Sequence, residues 1–156
     1  MASSDWIELT QRLVLAMVVG AAIGWNRQKS GKSAGLRTHM LVSLGAALFV
    51  LIPSEIEGSQ SADALSRTVQ GVATGVGFLG AGEIFQQSQA DNGRRRVKGM
   101  TSAAAIWVAA GLGAVVGCGL WQIGLVGMVL TLITLGTIKR MEQWTWIRRG
   151  RDDEEE

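Results

Sequence analysis

The stretch 103–138, AAAIWVAAGLGAVVGCGLWQIGLVGMVLTLITLGTI, contains no charged residue. A straight helix needs roughly 20 residues to cross the ~30 Å hydrocarbon core of a bilayer. The run is long enough for two crossings joined by a short uncharged turn, and we place them at 103–119 and 123–138. Working outward, 40–52 and 69–79 are also free of charge. They extend into spans at 38–52 and 68–85, and a further span covers 7–25. Glu8 and Arg12 lie inside that first span, four residues apart on one helical face, and are expected to pair near its surface end. The expected fold is all-α: a polytopic membrane bundle of about five transmembrane helices.

Composition agrees with that class. A chain of 156 residues has room for one domain. Its 47% hydrophobic content is ordinary, but its 21 glycines, single proline and absent tyrosine are unusual for a loop-rich soluble fold. A soluble bundle of buried helices is the competing architecture, and the loop charges speak against it. The loop after the first span carries Arg27, Lys29, Lys32 and Arg37 with no acid; the next carries Glu55, Glu57 and Asp63. The third carries Arg94, Arg95, Arg96 and Lys98 against Asp91, and Lys139 and Arg140 follow the last span. Short loops rich in Lys and Arg stay on the cytoplasmic side. Alternation of basic and non-basic loops puts the N-terminus outside and the C-terminus in the cytoplasm. Residues 1–140 form the transmembrane domain. Residues 141–156 form an interfacial segment with a charged cytoplasmic tail, expected to be solvated and disordered at its end.

Tryptophans mark the expected interfaces. Trp6, Trp25 and Trp121 fall near span ends and Trp144 and Trp146 just past the last one. Trp107 lies inside the fourth span and is expected to pack against another helix. The N-terminus lacks the basic n-region of a cleavable signal peptide.

Glycine spacing gives candidate helix-packing faces. Gly20 and Gly24, Gly71 and Gly75, and Gly113 and Gly117 are each four apart. Small residues at that spacing let helices approach closely in lipid. Gly75, Gly77 and Gly80 also read as G-x-G-x-x-G, with Gly82 two residues on. A dinucleotide site needs a preceding strand and an acid about 20 residues later; Asp91 is too close, and the nucleotide reading is rejected. What remains is a third span rich enough in glycine to bend or break, as at some transporter ion sites.

Ionisable residues at membrane depth are functional candidates by default. Glu83, near the cytoplasmic end of the third span, is the foremost candidate for an ion path. The alternatives are snorkelling to the interface or pairing with Arg37 or Lys98. Arg67 anchors the outer end of the same span, with Asp63 four residues before it. His39 is a lone histidine without companion ligands, and no metal site is defined. Thr101 and Ser102 open the fourth span and are expected to cap its N-terminus. Cys118, the single cysteine, serves as a small packing residue. No catalytic set, zinc spacing or phosphate-binding loop is visible, so neither an enzyme nor a cofactor is expected. The basic clusters sit between apolar spans and fit anionic lipid head groups rather than nucleic acid.

Three segments carry a family resemblance: Gly35–Val42 (GLRTHMLV), Gly75–Gly82 (GVGFLGAG) and Val97–Trp107 (VKGMTSAAAIW). In order and spacing they resemble the signature blocks of the MgtC/SapB family of bacterial inner-membrane proteins, over essentially 7–138. The resemblance implies a multi-pass inner (plasma) membrane protein linked to magnesium limitation and, in some pathogens, to survival inside host cells. It also implies a connection with regulation of the F-type ATP synthase. Two departures stand out. Gly24-Trp25-Asn26-Arg27-Gln28 replaces a Gly-Leu-Glu-Arg-Glu segment, so two carboxylates are missing. Asp63-Ala64-Leu65-Ser66-Arg67 replaces Asp-Pro-Ser-Arg, with the aspartate shifted by one. The chain resembles the short form of the family, without a C-terminal soluble domain. Two functions follow as expectations. One is a regulator of another membrane protein or complex that supports growth when magnesium is scarce. The other is a homo-oligomeric, magnesium-linked channel or transporter with Glu83 near its path.

Overall fold

The computed structural model describes the backbone of residues 3–54, 61–89 and 97–152, and the side chains of 6–53, 62–88 and 97–136. Five helices follow one another: α1 (Ser3–Lys29), α2 (Leu36–Ser54), α3 (Ser61–Gln89), α4 (Met100–Gly117) and α5 (Trp121–Asp152). No strand occurs among the described residues. Trp6–Lys29, Leu36–Pro53 and Met100–Gly117 are long and apolar enough to cross a membrane, and Trp121–Gly136 is a shorter apolar stretch. α3 is continuous from Ser61 to Gln89, so its glycines neither break it nor form a discontinuous helix. α5 runs on through the segment expected to be a tail, as far as Asp152. No proline interrupts it, and the isolated glycines Gly124, Gly127, Gly136 and Gly150 do not stop a helix.

α4 is the hub, packing against each of the other four helices, whereas among the described residues the α3 backbone packs against α2 and α4 alone. Its composition explains the position. Most of the buried residues of α4 are small, among them Ala105, Ala109, Ala110, Gly113 and Gly117, and small side chains let several neighbours come close at once. α2 lies between two glycine pairs. A Cβ at Gly20 of α1 would strike the His39 carbonyl, and one at Gly24 would stand 2.7 Å from Leu36 Cα. From the other side, a Cβ at Gly113 of α4 would strike the Ser43 carbonyl, and one at Gly117 would stand 2.9 Å from Ala47 Cα. Ser43 fixes the α1 contact by donating its hydroxyl to the Ala16 carbonyl at 2.6 Å.

At the end of the bundle where α4 terminates, Arg12 pairs with Glu8 as expected and donates to the Gly117 carbonyl at 3.4 Å. A cation there complements the negative end of the helix dipole. Trp6, Trp25 and Trp121 are exposed at or near helix ends, and Trp25 lies under Lys29 Nζ at 5.1 Å. Trp107 is also exposed, at 54%. The expectation that it packs within the bundle is therefore corrected: α4 turns Ala105, Ile106, Ala109 and Ala110 inward, and position 107 falls on the opposite side of the helix.

Candidate functional site

The opposite end of the bundle holds a polar cluster joining α1, α3, α4 and the α1–α2 loop, with Arg27, Glu83 and Ser102 buried, Gln87 half-buried and Ser33 exposed. α1 continues one turn beyond the apolar span, carrying Arg27 into the protein, where it is 4% exposed. Its Nη2 donates to the Ser102 hydroxyl at 2.8 Å. From α3, the Gln87 amide nitrogen faces three oxygens: Glu83 Oε1 at 2.6 Å, Ser33 Oγ at 3.0 Å and Ser102 Oγ at 3.2 Å. Ser33 in turn donates its hydroxyl to Glu83 Oε1. Glu83 is 8% exposed and lies within electrostatic range of Arg27. One carboxylate, one guanidinium, one amide and two hydroxyls thus form a connected network, which is how charge is tolerated away from water.

The entry to α4 makes this approach possible. Gly99 takes φ 93°, a left-handed conformation that glycine adopts without a Cβ clash. A Cβ at Gly99 would stand 3.1 Å from the Glu83 carbonyl oxygen and 3.2 Å from Ile84 Cα. Gly99 is also the N-cap of α4, without a side-chain cap. The expectation that Thr101 and Ser102 cap this helix is corrected: it begins at Met100, so Ser102 sits in the first turn and points inward to Arg27. Thr101 is exposed. Around the cluster, Gln28 Oε1 accepts from the Leu36 backbone N–H at 3.2 Å, steadying the start of α2.

His39 is fully buried on α2, and its Nδ1–H donates to the Gly35 carbonyl at 2.9 Å. That bond leaves Nε2 as an acceptor. Nε2 of His39 and Nε of Arg27 are buried without a hydrogen-bond partner.

The expected site residues separate into two groups. Glu83 and Ser102 come together in the cluster, with His39 buried on the adjoining helix. Arg37, Asp63, Arg67 and Lys98 are exposed. Glu83 bonds with Ser33 and Gln87, and no bond to Arg37 is formed. No ion pair or hydrogen bond joins Asp63 to Arg67. The Lys98 backbone N–H is bonded to Ser88 Oγ at 3.3 Å. Sequence reasoning missed Arg27, Ser33 and Gln87 as members of the site. Gln87 had a usable signal, since it lies four residues after Glu83 on the same helix face.

Among the glycines, Gly20, Gly24, Gly113 and Gly117 serve close packing as described, and Gly80 faces Ala103 of α4, whose Cβ lies 3.3 Å from the added position. Gly71, Gly75, Gly77 and Gly82 face open space. Cys118 is half-buried against the α2–α4 core. Among the described residues, no three His, Cys, Asp or Glu side chains converge as a metal site would require.

Comparison with known proteins agrees with the fold. Residues 13–144 match the model of the MgtC family. The chain is 56% identical to Protein SrpB of Synechococcus elongatus over 94% of its own length and 83% of that relative. It is 42% identical to the Putative magnesium transporter YhiD of Escherichia coli K12, over 82% of this chain and 59% of that one. Protein MgtC of Salmonella typhimurium is 37% identical, over 77% of this chain and 48% of its own. The chain thus spans only about half the length of the last two relatives. No solved structure matches. With apolar helices long enough to cross a bilayer and a family match over most of its length, this chain is a membrane protein and belongs to the MgtC family.

Proposed function

We propose that this protein is a multi-pass protein of the bacterial inner membrane that supports magnesium homeostasis, and growth when magnesium is limiting, by regulating a membrane partner. α3 and α5 complete the set of five crossings, and the alternating loop charges support an outside N-terminus and a cytoplasmic C-terminus. The polar cluster then lies at the cytoplasmic end.

The observation that carries the regulatory reading is the condition of Glu83. Its Oε1 accepts from both Ser33 and Gln87, and Arg27 lies within electrostatic range without forming an ion pair with it. Through Gln87, Ser102 and Arg27 this cluster ties α3 to α4 and α1, a joint through which a docked partner can sense or alter helix arrangement. Among the described residues no acid–base pair is poised for catalysis.

A second reading, an oligomeric magnesium-linked channel or transporter, draws on the open glycine face of α3. The relative from Escherichia coli also carries the name of a putative magnesium transporter. Purified protein in liposomes separates the two. The regulatory reading predicts no magnesium flux above protein-free liposomes, together with a membrane complex that co-purifies from cells. Magnesium flux that disappears in Glu83→Gln overturns it in favour of transport.

A further inference from the structure

α2 and α3 together line an apolar groove of about 660 Å³ along one side of the bundle. Its walls are Leu41, Gly45 and Phe49 on α2 and Gly71, Gly75 and Leu79 on α3. The volume lies within the range of about 300–1,000 Å³ common for ligand sites. Leu41 and Phe49 are both more than half exposed, so the groove opens sideways rather than being a gap in the core. A Cβ at Gly45, Gly71 or Gly75 would meet nothing within 4 Å. The glycines therefore widen the groove without bringing α2 and α3 together.

We propose that this groove binds one acyl chain of an anionic phospholipid whose phosphate is held by Arg37. Three features of the groove fit that occupant. First, it runs from Thr68 to Leu79 along α3, which at about 1.5 Å per residue is roughly 16 Å, half the ~30 Å hydrocarbon thickness and so one leaflet deep. Second, its lining is apolar, and the Thr68 hydroxyl at its far end is already donated to the Ala64 carbonyl at 2.9 Å. Third, Arg37 lies one turn before Leu41 on the same stripe of α2 as Gly45 and Phe49. Arg37 is exposed and makes no hydrogen bond or ion pair among the described residues. A cation at the head of an apolar channel is the complement of a lipid phosphate, and a guanidinium matches its oxygens with paired donors. A lipid seated here fills the space between α3 and α2, on the flank of the helix whose end carries Glu83 and Gln87.

The proposal rests on α2 and α3 crossing a bilayer, but not on the protein's role in magnesium limitation. The test is native mass spectrometry of the full chain in detergent, titrated with dioleoyl phosphatidylglycerol or dioleoyl phosphatidylcholine. Wild type is expected to retain one phosphatidylglycerol, at least tenfold more tightly than phosphatidylcholine. Arg37→Gln is expected to abolish that preference while leaving weak binding of both lipids. Gly75→Leu, placed in open space, is expected to remove binding of both without loss of helicity by circular dichroism. Retention of no lipid by wild type, or equal retention by Gly75→Leu, overturns the proposal. So does a wild-type dimer that Gly75→Leu splits without changing lipid retention, since the occupant is then a second copy. Extraction from membranes only by detergent reports separately on whether the chain is embedded at all.

Discussion

Arg27 and Ser102, 75 positions apart in sequence, meet through a 2.8 Å hydrogen bond that joins the end of α1 to the first turn of α4. The same hydroxyl accepts from Gln87, so one serine connects three helices. Removing it leaves a buried guanidinium short of a partner. Loss of a buried hydrogen-bond partner costs about 1–3 kcal/mol, more where a charge is involved. Ser102→Ala should lower the thermal midpoint in detergent by several degrees, whereas Thr101→Ala, at an exposed position, should leave it unchanged.

The glycine pairs give a contrast between positions of identical chemistry. Gly113→Ala drives a methyl group into the Ser43 carbonyl, and backbone cannot yield as a side-chain tip can. A loss of about 1–3 kcal/mol is expected from this overpacking. Gly71→Ala adds its methyl in open space and gains up to ~1 kcal/mol of helix propensity. Thermal unfolding of the two variants in the same detergent should move in opposite directions.

These pairs also show how far the sequence alone reaches. Spacing of four marked Gly20 and Gly24, Gly71 and Gly75, and Gly113 and Gly117 equally, because a small-residue face is a property of one helix. Which face receives a neighbour depends on tertiary arrangement, and only the first and third pairs meet α2 closely. The core of the polar site was partly legible in Glu83 and Ser102, since ionisable and hydroxyl groups beside apolar spans are conspicuous. Arg27 was not, because ending the first span at residue 25 assigned it to a solvated basic loop. The extra turn of α1 to Lys29 rotates it inward. Trp107 misled for a related reason: a large aromatic in mid-span reads as core, yet a hub helix built on alanine and glycine leaves its bulky residue outside.

Gly99 should tolerate no side chain. Its φ of 93° is strained for any L residue, and an added Cβ would stand 3.1 Å from the Glu83 carbonyl oxygen. A left-handed conformation costs roughly 1–2 kcal/mol without glycine. Gly99→Ala should therefore lower the thermal midpoint. It should also raise the labelling rate of a cysteine placed at Gln87, as the end of α3 separates from α4.

Orientation follows from loop charge and is open to direct reading. Reporter fusions should place the N-terminus outside the cytoplasm and the C-terminus, after Lys139 and Arg140, within it. Both termini reporting from one compartment would contradict a five-crossing arrangement.

Growth at limiting magnesium tests the functional account most directly. A strain lacking this protein is compared with the same strain carrying a wild-type or an Arg27→Ala copy, each at matched levels in the membrane fraction. The account predicts that deletion slows growth only when magnesium is scarce, that wild type restores it, and that Arg27→Ala does not. A deletion strain that grows like its parent at every magnesium concentration, or full rescue by Arg27→Ala, would contradict it.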